Sequence, residues 1–269
     1  MWKLFMRLVS GLALLVLGGC ASMMPTYRLA DNVYGALGGS SIEIIYLDSQ
    51  DAPLTLAPSP EAMKSAFGLQ AIVPGPTPMP IVGADPVALK RIQDEAQVPL
   101  MPYQDEIGTL NVREKLFANL SSTLTTIPAM TGAKMTRMAQ PIQTGPNVET
   151  HGIALNSKSQ IVIIISATSA AIRYDGATVS TGLQLDVYAK PHPTQAVLQD
   201  HHLIFGHAMP PGPVTEGYNL HDNLQKLFAD SGSLLSADLD ATLGNLCDKL
   251  RYYFHAIDTS PQIPAASGG

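Results

Sequence analysis

The chain has 269 residues, 46% of them apolar, and carries 16 basic against 22 acidic residues for a net charge of −6. That length suits one sizeable domain or two small ones, and the acidic balance argues against a protein held on nucleic acid or anionic lipid by its surface charge. Two cysteines, Cys20 and Cys247, are present.

Residues 1–19 have the three-part organisation of an export signal: Lys3 and Arg7, an apolar run from Leu8 to Leu17, then small residues. A spanning helix needs about 20 apolar residues. This run is shorter and holds Ser10 and Gly11, so it reads as a removable signal. Its end, Leu17-Gly18-Gly19-Cys20, resembles the lipobox of bacterial lipoproteins. The resemblance implies that Cys20 takes a diacylglyceryl group as a thioether, becomes the first residue of the mature chain and is acylated on its freed amine. At ~0.8 kcal/mol per buried methylene, two or three acyl chains hold a protein on a bilayer far more firmly than one. Ala21 and Ser22 lack the aspartate associated in that family with inner-membrane retention, so the resemblance places the protein on the outer membrane, facing the periplasm. Losing Lys3 and Arg7 leaves 14 basic against 22 acidic residues, a net −8. With Cys20 lipidated, Cys247 has no disulfide partner in its own chain and reads as a small buried hydrophobe within a helix, not a reactive thiol.

Residues 20–40, with Gly35, Gly38, Gly39 and Ser40, suit the anchor and a tether or loosely paired first segment. Ser41 to Asp48 predicts a strand with apolar residues on both faces, hence an inner one. From 51 to 105 prolines recur, from Pro53 to Pro102, and predict an insertion beside the sheet with no strand of its own. Two short helices fit there, one over Pro60 to Phe67 and one opening at Asp85 and Pro86. The proline-rich centre reads as a rigid surface loop, with an extended partner-binding segment as the alternative.

Asn111 and Glu114 suggest a capping box. Val112, Leu116, Leu120, Leu124 and Ile127 then recur at helical spacing up to Pro128. Ala133 to Met138 predicts a strand. The turn Tyr174-Asp175-Gly176 predicts a hairpin, with Ile163 to Tyr174 antiparallel to Ala177 to Ala189. The second of these strands alternates as if packed on one side. A third strand, Ala196 to His207, follows the turn at His192-Pro193-Thr194. Helices over Leu220 to Phe228 and Ser233 to His255 close the domain, and 258–269 reads as a flexible tail.

The element order predicts a single α+β domain over 41–257: a mainly antiparallel sheet with two core helices packed on one face, plus the proline-rich insertion. Over those residues the order loosely resembles small α/β envelope lipoproteins, including domains that share the fold of the TolB amino-terminal domain and auxiliary lipoproteins of transport systems. That resemblance implies an accessory of assembly or transport.

The densest group of potential ligands or acid-base residues is Asp200, His201, His202 and His207. On a strand, His201 and His207 lie about 20 Å apart, so an ordinary turn-and-strand role is preferred to a metal site. Met130, Met135 and Met138 read as core filling before soft copper ligands. The chain contains no G-x-S-x-G, H-E-x-x-H or S-x-x-K with K-T-G, and no phosphate-binding glycine loop. No cofactor, metal or catalysis is expected. The function expected is a lipid-anchored envelope accessory that meets the membrane through Cys20 and binds an envelope protein or an amphiphile. The alternatives are an anchored hydrolase using His201, His202 or His207, and a small-molecule-binding lipoprotein with an apolar pocket.

Overall fold

The structure is a computed structural model that describes residues 28–48, 52–59, 61–63, 86–139, 150–189, 198–205 and 219–258. The signal, Cys20, His207 and residues 259–269 lie outside these, as do most of the Pro60 to Phe67 helix and the cap at Asp85. Along the chain run α1 (Asp31–Leu37), β1 (Ile42–Asp48), β2 (Leu54–Leu56), α2 (Pro86–Gln97), a 3-10 turn (Val98–Tyr103), α3 (Gln104–Thr109) and α4 (Val112–Thr126). They are followed by β3 (Lys134–Ala139), α5 (Thr150–Asn156), β4 (Ile161–Ile172), β5 (Val179–Ala189), β6 (Leu198–Phe205), α6 (Leu220–Leu227) and α7 (Ala229–Tyr253). Among the described residues no helix is long and apolar enough to cross a membrane.

The α+β class holds, but the sheet is mixed and not mainly antiparallel. Its order is β3-β1-β4-β5-β6, with β2 also paired to β4. β1 is parallel to both β3 and β4, and β2 is parallel to β4. Parallel neighbours need long crossovers, and the chain supplies them: α2, α3 and α4 between β1 and β3, and α5 between β3 and β4. Only β4, β5 and β6 form the expected antiparallel meander.

Three further expectations are corrected. The proline-rich stretch does carry a strand, because β2 fits between Pro53 and Pro58 and pairs with Ala170 to Ile172. Gln97 then stands in for a neighbouring strand: its amide donates to the Leu56 carbonyl at 2.9 Å and accepts from the Leu56 N–H at 2.8 Å. Asn111 makes no capping bond and takes left-handed φ 47°, while Glu114 turns to Arg137 instead. β5 is buried on both sides, with Asp186 and Tyr188 as inaccessible as Leu183 and Leu185.

One buried cluster joins Ile42, Ile44 and Tyr46 of β1, Ile161 to Ile165 at alternate positions of β4, and Leu183 to Val187 of β5, with Leu120 and Leu124 of α4 and Leu246 and Leu250 of α7. A second continues the same layer through Ala170, Ile172, Leu116, Leu239 and Leu243. A third, on the opposite side of the strands, holds Ile45, Leu47, Val162, Ile164 and Tyr188 with Ala154 of α5. The β4–β5 register slips between Ser166 and Ser169, three steps on β4 against two on β5. This bulge switches the inward parity of β4 from odd to even residues, so Ala170 and Ile172 stay with the layer that Ile163 and Ile165 began.

The first described segment is no loose tether. Leu29, Val33 and Leu37 are fully inside the main cluster, each worth roughly 1.5–3 kcal/mol relative to exposure.

The hairpin turn has the expected position. Gly176 sits at φ 68°, its N–H donates to the Arg173 carbonyl at 2.7 Å, and Asn223 of α6 donates to the Asp175 carbonyl at 3.0 Å. A Cβ at Gly176 would come within 3.2 Å of both Asn223 and Leu220 side chains. Gly176→Ala should therefore cost more than the roughly 1–2 kcal/mol of left-handed strain alone, read by denaturant unfolding; a neutral variant would show that the turn does not dock on α6. Thr181 is fully buried in β5, and its hydroxyl finds no hydrogen-bond partner among the described residues. Replacing it with the isosteric Val should stabilise the fold by about 1 kcal/mol, seen as a raised Tm, whereas a loss of stability would reveal a hidden partner for the hydroxyl.

Candidate functional site

Two polar groupings flank the β1–β3 edge, one on each side of the sheet. On the side of the third cluster, Glu43 accepts from Ser157 at 2.6 Å, Thr136 at 3.1 Å and Lys134 at 3.2 Å. β3 supplies Lys134 and Thr136 because parallel pairing sets Glu43 opposite Lys134, and α5 ends just before Ser157. The Ser157 hydroxyl is the main cause that holds the Glu43 carboxyl below its usual range; burial opposes it, and Lys134 and Thr136 reinforce it. On the other side, Arg137 donates to both Asp48 oxygens, at 2.7 and 3.1 Å, and to both Glu114 oxygens, at 2.9 and 2.8 Å. Its guanidinium also lies 4.4 Å from the Phe117 ring centroid. The Glu114 and Asp48 bonds keep Arg137 charged far beyond any accessible pH.

Neither grouping is poised for proton transfer. A general acid or base works best with a pKa near the operating pH, and Glu43 is displaced the other way. The Arg137 fork is fully engaged by two carboxylates. Both groupings tie β3 to the sheet, one through α5 and the other through α4.

A different constellation joins the two ends of the described chain. The Leu29 N–H donates to the Tyr253 carbonyl at 2.9 Å, and His255 Nε2 lies 2.7 Å from the Leu29 carbonyl. The His255 ring stacks on Tyr34 with centroids 4.2 Å apart. Arg28 donates to the Ile257 carbonyl at 3.2 Å and lies over Tyr252 at 5.0 Å. These contacts form a clamp at the end of α7, where the chain that follows Cys20 enters the fold.

The residues singled out from sequence form no shared site among the described residues. Cys20 and His207 lie outside the described residues. Asp200, His201 and His202 fall on β6, with backbone register opposite Val187, Asp186 and Leu185. Among the described residues no three histidine, cysteine or carboxylate groups are placed to hold a metal ion. Met130 is buried in the main cluster, Met135 accepts from the Ser121 hydroxyl at 3.0 Å and Met138 is exposed. Met135 and Met138 differ by an odd number of strand positions and so lie on opposite faces.

Cys247 is buried against α4, and desolvation raises its thiol pKa, as expected of an inert cysteine. Sequence reasoning missed Tyr188, whose hydroxyl shares a short hydrogen bond with Thr150 and whose pKa burial raises. It also missed Glu43 and the clamp, since their partners lie as much as 230 residues apart. A depression of about 520 Å³ is lined by Val87, Lys90, Arg91, Asp94 and Glu95. All five belong to α2, so no second element among the described residues converges on it.

No family model, curated protein or solved structure matches this chain.

The lowered Glu43 pKa has a definite sign in stability. Its contribution is fully present above the usual carboxylate range and is lost as pH falls through the folded-state value. Glu43→Gln should therefore lower stability by about 1 kcal/mol at neutral pH, and the gap to the unmodified protein should close on acidification through the carboxylate range. Urea titrations across that range check this, and a gap independent of pH would contradict it.

Proposed function

We propose that this protein is a lipid-anchored accessory of the bacterial cell envelope, held on a membrane through Cys20 and displaying its domain to an envelope protein or an amphiphile in assembly, secretion or transport. The outer membrane, facing the periplasm, is the expected site. The single observation that carries this reading is Leu17-Gly18-Gly19-Cys20 behind an export-signal pattern. The fold is compatible with it: the core takes up the chain again at Leu29, shortly after Cys20. In this reading α4 and α7 are the two core helices that close one face of the sheet, as a rigid backing for a display surface.

A second reading, an anchored hydrolase, has one observation in its favour. Asp186 is a deeply buried carboxylate in register with His201 across β5 and β6, and carboxylates orient catalytic imidazoles.

The two readings separate in a complementation experiment on a deletion strain challenged with envelope stress. Cys20→Ser should give an unprocessed or soluble exported protein and lose complementation, while replacing His201, His202 and His207 with Ala should leave it intact. Intact-mass analysis should find lipid on Cys20 of the unmodified protein. A mature amino terminus elsewhere without lipid removes the anchor. Loss of function in a folded, anchored histidine variant, with function retained by Cys20→Ser, replaces the accessory by the enzyme.

A further inference from the structure

We infer that the anchored domain stands end-on to the membrane, with the clamp at the end of α7 nearest the bilayer and the Asp175-Gly176 hairpin end farthest from it. This rests on lipidation of Cys20 but goes beyond it, because an anchor by itself fixes no orientation.

The argument begins with reach. If the chain were free from Cys20 through residue 40, its twenty links would span up to about 70 Å and the domain would tumble freely. The clamp removes most of that freedom. Arg28 is bonded to the Ile257 carbonyl, Leu29 to Tyr253, and Leu29 is only 1% exposed. From Cys20 to Arg28 there are eight links, with a ceiling of about 29 Å, so the clamp stays within that distance of the lipid.

Among the described residues the clamp also lies at one end of the long axis. Tyr253 and Phe254 pack in the cluster that holds Ile42, Ile161 and Ala189, at the starts of β1 and β4 and the finish of β5. Leu235 and Leu239, near the beginning of α7, pack with Leu54, Ile172 and Val179 at the other end of β4. α7 therefore runs antiparallel to β4. The helix from Ser233 to Tyr253 extends about 30 Å at ~1.5 Å per residue, and the 12 residues of β4 about 36 Å. The hairpin turn and α6 lie beyond the far end of that axis.

Charge favours standing off over lying embedded. The Asp31 and Asp258 side chains at the clamp are each 99% exposed, Asp258 ion-paired with Arg28 at 3.3 Å and Asp31 3.8 Å from His255 Nδ1, and carrying such charged groups into the hydrocarbon of a bilayer is costly. The expected posture is close approach of the clamp without insertion, with the opposite end directed away from the membrane.

The test is energy transfer from single fluorophores on the full, lipidated protein to headgroup-labelled lipid in reconstituted vesicles. The labels go on Asp258→Cys at the clamp and on Leu234→Cys, half exposed near the far end. Buried Cys247 leaves the unmodified protein as a control that takes no dye. Transfer from position 258 should be at least twofold more efficient than from 234. A 20-residue Gly/Ser insertion after Tyr27 should erase most of that difference. Equal or reversed efficiencies with lipid present on Cys20 overturn the orientation alone. A difference that survives the insertion overturns the leash as its cause. Absence of lipid on Cys20 by intact mass removes the anchor reading, and the orientation with it.

Discussion

One extra residue in β4 keeps the helix-facing side of that strand apolar along its whole length. β4 is the strand the others depend on: β1 and β2 lie in succession along one edge, and β5 runs the full length of the other. Side chains alternate strictly along an unbroken strand. Without the slip between Ser166 and Ser169, Ala170 and Ile172 would face away from the layer containing Ile163 and Ile165. The bulge thus lets residues of two buried clusters share one continuous side of the strand. It also bends the strand where its neighbour changes from β1 to β2.

The polar chemistry follows from this arrangement. β1 is enclosed by two parallel neighbours, so an acidic residue on it must find partners at the sheet's edge. Glu43 finds Lys134, Thr136 and Ser157, and Asp48 finds Arg137. In each case a carboxylate accepts from fixed donors and acts as a fastener for β3. Such groups stabilise an edge.

The clamp connects the fold to the proposed anchor. It joins residues early and late in the chain through backbone bonds, a stacked Tyr34–His255 pair and the Arg28 contacts, so a pull on the segment after Cys20 is delivered to the end of the longest helix. A domain attached by a flexible mid-surface loop would transmit no such direction.

Local signals in the sequence were enough for the elements whose causes are local. The Asp175-Gly176 turn announced the hairpin because glycine supplies the positive φ there. The leucine spacing of α4 and α7 announced two buried helix stripes, and the apolar residues on both faces of β1 announced an inner strand. The lipobox-like residues and the missing catalytic motifs likewise belong to sequence. Tertiary structure alone decided what depends on distant partners. Parallel pairing of β1 with β3 and β4 is a matter of crossover path, which periodicity does not encode. β2 exists among prolines because Gln97 satisfies Leu56. Asn111 forgoes its cap, and Glu114 turns to Arg137 on β3. Residues 29–37, glycine-bearing and tether-like as written, are drawn into the core because Val33 and Leu37 share one face of α1 and Leu29, just before it, bonds to Tyr253 of α7 across more than two hundred residues of chain.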